Sequence, residues 1–366
     1  MKRFYPVLLM MLMCACGSNP QGQTNGAAIE SRSVLRTEAA EKESETEDTA
    51  EAAEEERAFF AMNTYMRIRA YDADTALMDQ AEVRVEELEA LFSTTREESE
   101  IAILNRDKTA ALSGETEELM RLALSLCERT EGALDISVYP VVRSWGFTTG
   151  EYRIPERAEL DTLLRYVDYR NVKLEKGTAL IGADMMVDLG SVGKGYTGDQ
   201  LAALLKENGV QSALLDLGGN IQTVGRKPDG SLWKIGIKDP KKPDSQVGGV
   251  SVEDEAVITS GGYERYFTGE DGEIYWHIID PATGEPAHSG LLSVTIIGKS
   301  GALCDALSTS LFVMGLEGAT EQYRTYGDFE AVLVAQNGTV YITEGLRDRF
   351  TLAEGLDPDR LQVIEK

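Results

Sequence analysis

Residues 302–315 read ALCDALSTSLFVMG and are apolar almost all round at helical spacing, the pattern of a buried helix. Yet Asp305, Ser308 and Thr309 stand at i, i+3 and i+4, which puts a carboxylate and two hydroxyls on one face. With Ser300 as N-cap, Asp305 lies beyond the first turn, so capping does not account for it. Left unpaired in a buried place, its charge would cost on the order of several kcal/mol. An oxygen-only group at this spacing suits a hard cation such as Mg²⁺, completed by phosphate oxygens and water. The structural alternative has the hydroxyls bonded back to the preceding turn of their own helix.

Three other segments carry residue types with chemical uses. MMVDLGSVGKGYTGDQLAALL, residues 185–205, runs from an apolar stretch through glycines into an amphipathic helix. Free amides and the positive end of a helix dipole favour phosphate there, whereas the alternative is a tight turn in which Asp188 caps and Gly195 packs. Gly190, Gly193 and Gly195 match neither the P-loop nor the dinucleotide fingerprint. In GALDISVYPVVRSWGF, Trp145 and Phe147 flank Gly146 and could hold a flat ring, or simply be core. IYWHIIDPATGEPA places His277 three residues before Asp280, at the start of a Pro- and Gly-containing turn. A neutral imidazole near a carboxylate suits proton transfer, and a satisfied histidine beside a structural turn is the competing reading. SGGYERYF (260–267) and DLGGN (216–220) are further polar strand ends of the kind that share a pocket.

These segments must be held by surrounding elements. AFFAMNTYMRIRAY (58–71) alternates like a strand, and helices are expected over 77–92, 116–130, 155–167, 196–208 and 301–314. Strand candidates are MMVDLG, SALLDLG, LWKIGIK, EAVITSG, IYWHIID, LLSVTIIG, EAVLVAQN and TVYITE, the last two joined by an Asn337-Gly338 hairpin signal. Several strands follow each other without a helix between, which favours an α+β fold with a mainly antiparallel sheet.

An apolar share of 42% over 366 residues supports a real core, while a formal charge of −26 argues against nucleic acid and anionic lipid surfaces. MKRFYPVLLMMLMCAC opens with two cations and an apolar run, as a secretion signal does; Ala15-Cys16 resembles the lipobox of bacterial lipoproteins, which implies cleavage before Cys16 and its lipidation, the alternative being an ordinary signal peptide with incidental cysteines. The expected division is a signal over 1–15, a lipidated Cys16 heading a disordered acidic tether to residue 57, a folded domain over 58–350 and a C-terminal tail over 351–366. The protein is then expected outside the cytoplasm, anchored to a bacterial membrane by lipid. Cys127 and Cys304 sit in apolar helical contexts and are read as free thiols.

Taken in order, AMNTYM, FSTTREESEIAILN, GALDISVYPVVRSWGF, VDLGSVGKGY, DLGGN, ITSGGYERYF, HIIDPATG and CDALSTSLFVMG resemble the ApbE family of FAD:protein FMN transferases across the whole folded part. The resemblance implies a two-lobed fold related to the T-fold, and Mg²⁺-dependent transfer of FMN from FAD to a Thr or Ser hydroxyl of a partner protein, with release of AMP. Partners would be extracytoplasmic subunits of redox or electron-transfer complexes. It assigns Met62, Trp145, Gly146, Phe147, Asp188, Lys194 and Ile279 to FAD, and the backbone carbonyl of Ser191 with Asp305, Ser308 and Thr309 to the metal. His277, with Asp280, becomes the base. Ser308 stands where certain members carry Asp, and Lys194 where some carry Glu. Competing readings are an FAD pyrophosphatase giving FMN and AMP, and a lipoprotein that only binds flavin. Gly318-Ala319-Thr320 is similar to the core of an acceptor motif but lacks its upstream Asp and Ser, and reads as a helix start.

Overall fold

The computed structural model describes residues 52–366; the signal segment, Cys16 and most of the acidic tether lie outside the described residues. Strands β1 (Glu54–Ala61) and β2 (Thr64–Tyr71) form a hairpin. Helices α1 (Thr75–Phe92), α2 (Glu100–Asp107) and α3 (Gly114–Arg129) follow, with β3 (Thr109–Ala111) before the last. Two short helices, α4 (Tyr139–Ser144) and α5 (Arg157–Leu163), then β4 (Lys173–Glu175) and β5 (Thr178–Leu180), lead to α6 (Gly193–Glu207). Next come β6 (Ser212–Asp216), β7 (Asn220–Gly225), β8 (Trp233–Asp239), β9 (Lys242–Val252) and β10 (Ala256–Gly261). The small hairpin β11 (Tyr266–Thr268) and β12 (Ile274–Trp276) precedes β13 (Leu291–Gly298) and α7 (Gly301–Tyr326). The chain finishes with β14 (Glu330–Ala335), β15 (Val340–Thr343), β16 (Phe350–Leu352) and β17 (Leu361–Ile364).

Nine strands make the central sheet, in the order β1-β2-β6-β7-β10-β13-β14-β15-β17. Every pairing in it is antiparallel except β15 with β17, so the expected α+β architecture with a mainly antiparallel sheet is the one found. Alternation decides which face is dry. Met66, Ile68 and Ala70 of β2 are fully buried against α1 and α6, while Val294 and Ile296 of β13 pack with Leu307, Leu311 and Phe312 of α7. The β16-β9-β8 sheet covers part of the other face through Val250, Ile297, Val332 and Phe350.

Helix α7 is apolar all round because it is enclosed, as its sequence suggested. Ser300 caps it by accepting from the Leu303 amide at 3.3 Å. Asp199 of α6 takes the Gly301 and Ala302 amides at 2.6 and 3.0 Å, which leaves few orphan donors at that end. The helical backbone breaks at Gly315 (φ 73°), where the sequence reading ended the helix, and then resumes to Tyr326. Thr320 lies in that second part and donates to the Leu316 carbonyl at 2.8 Å.

Three expectations need correction. Folding begins before residue 58: Glu54 and Glu56 sit in β1 because Arg67 and Arg69 on β2 face them across the hairpin, offsetting the acidic run. The 351–366 segment is not a tail, since β17 is an edge strand of the central sheet with buried Ile364. MMVDLG forms no strand; instead the Asn105 side chain brackets Val187, donating to its carbonyl at 2.8 Å and accepting its amide at 2.6 Å. One buried amide thereby satisfies a backbone that would otherwise need a neighbouring strand. Cys127 and Cys304 are buried free thiols, and burial pushes the Cys127 thiol up to about 12.

Candidate active site

The carboxylate that opened the sequence question is buried, 4% exposed, on the face of α7 that meets α6. Its Oδ2 accepts the Gly195 amide at 2.9 Å. Gly195 is the third residue of α6, so its amide is one of the first-turn donors without an intrahelical acceptor, and the Asp305 carboxylate fills that place. The other Asp305 carboxylate oxygen accepts no hydrogen bond among the described residues, so it is the one left wanting a positive partner. Asp305 makes no ion pair among the described residues, and a single charge-assisted hydrogen bond, about 1.5–3 kcal/mol, does not offset burial of the charge.

Hydroxyls complete the neighbourhood. Ser260, the β10 residue paired with Val294, holds its Oγ 2.8 Å from Ser308 Oγ and 3.2 Å from Thr309 Oγ1. Ser308 is fully buried and donates to the Asp305 carbonyl at 2.8 Å, so its hydroxyl is spent on the helix, as the structural alternative held. Thr309 is half-buried and keeps its hydroxyl for the cleft apart from Ser260. Among the described residues no group of three His, Cys, Asp or Glu forms a metal cluster. The donor set of Asp305, Thr309 and the Ser191 carbonyl is hard oxygen with one charge, which fits Mg²⁺ sharing its shell with phosphate and water better than a softer metal.

The glycines of the 190–195 turn serve packing more than a phosphate cradle. A Cβ on Gly195 would stand 2.1 Å from the Gly301 carbonyl oxygen, because α6 and α7 cross backbone to backbone there. The Val192 and Gly193 amides both go to the Leu189 carbonyl, and Gly195's to Asp305. Gly195→Ala is therefore expected to cost about 1–3 kcal/mol or more, read as a lower urea midpoint, since backbone cannot move aside as a side chain can. Lys194 is half-buried; its Nζ meets Asn220 Oδ1 at 3.0 Å and has no carboxylate partner among the described residues, a cation suited to an anion. Asp188 closes the turn by accepting the Gly190 amide at 2.6 Å, and burial holds its carboxyl above the ordinary range. Glu264 is also raised, by burial first, with Asp305 adding and Lys194, Lys238 and Arg265 opposing.

His277 follows β12 and is half-buried; its Nδ1 lies 3.2 Å from the Arg265 carbonyl. A carbonyl only accepts, so Nδ1 carries the proton and Nε2 is left as a free base. Burial, with Arg265 and Lys194 opposing a second positive charge, lowers this histidine to about 4. Asp280 is not its partner. Its carboxylate accepts the Ala282 amide at 2.9 Å and the Thr283 hydroxyl at 3.3 Å, and its carbonyl takes the Gly284 amide, so it builds the turn 280–284. The proposed pairing with His277 was drawn from sequence proximity, whereas the turn consumes the charge.

The aromatic segment is likewise mostly structural. Trp145 is 2% exposed, donates its indole N–H to the Gly284 carbonyl at 2.8 Å and lies 5.3 Å from the Tyr275 ring, leaving no open face for a ligand. Gly146 has φ 84°, and a Cβ there would strike the Glu151 carbonyl, so its role is the turn. Ile279 is buried in the same cluster. Phe147 is the member that reaches His277, 6.3 Å from its ring and edge-on to it. Met62 occupies the β1–β2 turn with its sulfur 3.6 Å from the Thr197 hydroxyl of α6. Asn220, Ser260 and Arg265 lie in the two segments read as pocket-building strand ends, whereas Asp199 was not singled out by sequence. Asp199 sits one turn after Gly195, and that i+4 spacing was the available signal. An open hollow of about 490 Å³ lined by Arg165, Tyr166, Lys173 and Met185, among others, shares no residue with this cleft.

A family model described as the ApbE family matches residues 62–333. An FAD:protein FMN transferase of Treponema pallidum is 31% identical over 326 residues, covering 81% of this chain and 89% of that protein. One from Vibrio cholerae is 35% identical over 241 residues, covering 64% and 72%. Among solved structures, the flavin transferase ApbE from Vibrio cholerae superposes with a TM-score of 0.75 at 29% identity, over 82% of this chain and all of that one. The ApbE protein of Thermotoga maritima gives the same score and identity over 81% and 99%. Fold, ordered motifs and matched length agree: the chain belongs to the ApbE family.

Proposed function

We propose that this ApbE-family flavin transferase moves FMN from FAD to a Thr or Ser hydroxyl of a partner protein and releases AMP, with Mg²⁺ bound at Asp305, Thr309 and the Ser191 carbonyl. The observation that carries the reading is a buried carboxylate with one hydrogen bond and no ion pair among the described residues, four residues before the half-buried Thr309 and bonded to the amide next to a lysine without a carboxylate partner. The names of the relatives supply the reaction class. When bound, the metal withdraws charge from the diphosphate and orients it. Lys194 binds the phosphate oxygens, and Asn220 fixes where its ammonium points. His277 Nε2 takes the proton of the acceptor hydroxyl as its oxygen bonds to the FMN phosphorus; the bond from that phosphorus to the bridging oxygen breaks, and AMP leaves with the oxygen. Phe147 screens one edge of the base from water.

Mass spectrometry of membrane proteins incubated with the purified chain, FAD and Mg²⁺ should reveal peptides that gain FMN, and none when Mg²⁺ is chelated. No FMN-bearing peptide in the complete mixture would refute the reaction. The same proposal sets the protein outside the cytoplasm on a lipid at Cys16. Palmitate labelling is expected for the full chain and absent in Cys16→Ser; equal labelling of both would remove the anchor.

A further inference from the structure

Large apolar side chains are exposed on the β1–β2 hairpin and on the neighbouring β11. Phe60 is 59% and Tyr65 80% exposed, and they face each other across the β1–β2 hairpin with ring centroids 5.3 Å apart, edge to face. The tip of this hairpin belongs to the cleft wall: Arg265 Nη2 donates to the Asn63 carbonyl at 3.2 Å, and the Thr64 side chain occupies the space a Cβ on Gly218 would need. Beyond that link lies Tyr266, 49% exposed, next in sequence to the residue whose carbonyl holds His277. The inward residues Ala61 and Met66 already anchor the hairpin, so its stability does not depend on the outward rings. Single exposed apolar residues are ordinary, but two aromatics in contact, with a third next to the residue that ties His277 to the hairpin tip, have the composition of an interface core. Arg265, which makes no ion pair among the described residues, adds a guanidinium group there on a chain of formal charge −26, whereas Arg67 on the Tyr65 face is already opposed by Glu56.

We propose that Phe60, Tyr65 and Tyr266 form the docking surface for the acceptor protein, whose hydroxyl-bearing segment lies across them and presents apolar and acidic side chains. This rests on the reaction proposed above. In that reaction FAD occupies the floor between Lys194 and Asp305, and the acceptor hydroxyl must come within roughly 2.6–3.2 Å of Nε2. The residues flanking the hydroxyl therefore have to cross the rim. Positive charge at that rim, in an otherwise strongly acidic protein, attracts an acidic segment and selects against basic ones.

The test uses the full chain, FAD, Mg²⁺ and detergent-solubilised membrane proteins of the source organism, with protein-bound FMN read by in-gel flavin fluorescence at increasing extract concentration. Phe60→Ser with Tyr65→Ser is expected to raise the extract concentration giving half-maximal rate by about tenfold, the usual loss on truncating interface anchors. The maximal rate and the FAD affinity, measured by flavin fluorescence titration, should stay as in wild type. Leu180→Ser, which removes a similarly exposed apolar residue elsewhere, should change none of them. Unchanged extract dependence in the double variant overturns the docking surface while leaving the reaction standing. So does a shift of the wild type from oligomer to monomer in the double variant, because a second copy would then be the occupant. Absence of protein-bound FMN with wild type refutes the reaction, and the docking surface falls with it.

Discussion

Asp305→Asn is expected to lower Mg²⁺-dependent FAD cleavage by about 10³-fold, since the loss of a metal's charge stabilisation amounts to several kcal/mol at 1.36 kcal/mol per decade. Asparagine keeps the size and can still accept the Gly195 amide, so α6 and α7 remain joined and the deficit is one of charge. The folded protein without metal should be no less stable, because the substitution removes a buried carboxylate that makes no ion pair. Thermal melts separate the two contributions. Wild type should be stabilised by Mg²⁺, by about 2.7 kcal/mol at a hundred times Kd, whereas Asp305→Asn should melt at the same temperature with and without it. Ser308→Ala should cost far less activity, since that hydroxyl is bonded to the helix carbonyl and to Ser260.

His277→Gln should reduce transfer to the acceptor by roughly 10²–10⁴-fold, the range for removing a positioned general base, while FAD binding is retained. The pH profile adds a sharper mark. Burial lowers His277 to about 4 from its ordinary 6.5, so the free base is available throughout the neutral range and the acidic limb of kcat/KM should lie near 4 rather than near 6.5. A limb near 6.5 would show that burial does not hold this imidazole down, and an unaltered limb in His277→Gln would show the base to be another group. The same shift has a stability consequence. Between 6.5 and about 4 the unfolded chain binds a proton that the folded one does not, so this contribution is complete above 6.5, is lost as pH falls towards 4, and changes no further below. Activity lost in that window through unfolding would coincide with loss of secondary structure, whereas protonation of the base would not.

Much of the site could be read from residue types, and the parts that could not have a common cause. Asp305 was legible because a charge on an apolar helix is expensive at any position, and only a partner resolves it. Lys194 and His277 were legible as segments, but their partners are a distant asparagine and a distant backbone carbonyl, neither of which marks itself in sequence. Asp280 and Trp145 mislead for the opposite reason: a carboxylate and an indole beside glycines look available, yet a turn consumes the first and a carbonyl with neighbouring rings encloses the second. Fold followed the same division. Alternating strands such as β13 and the Asn337-Gly338 hairpin were visible locally, while the entry of Glu54 into β1 depends on Arg69 opposite and that of β17 on β15. Asn105 standing in for a strand beside Val187 is the extreme case, because a single side chain does what periodicity attributes to a whole element.

The most direct test of transfer through this cleft is stoichiometric. AMP, free FMN and protein-bound FMN should be counted together after the chain acts on FAD with Mg²⁺ and membrane proteins. One AMP for each protein-bound FMN, with both products lost in Asp305→Asn, is expected. AMP appearing with an equal amount of free FMN and no flavin on protein would contradict transfer and make water the nucleophile.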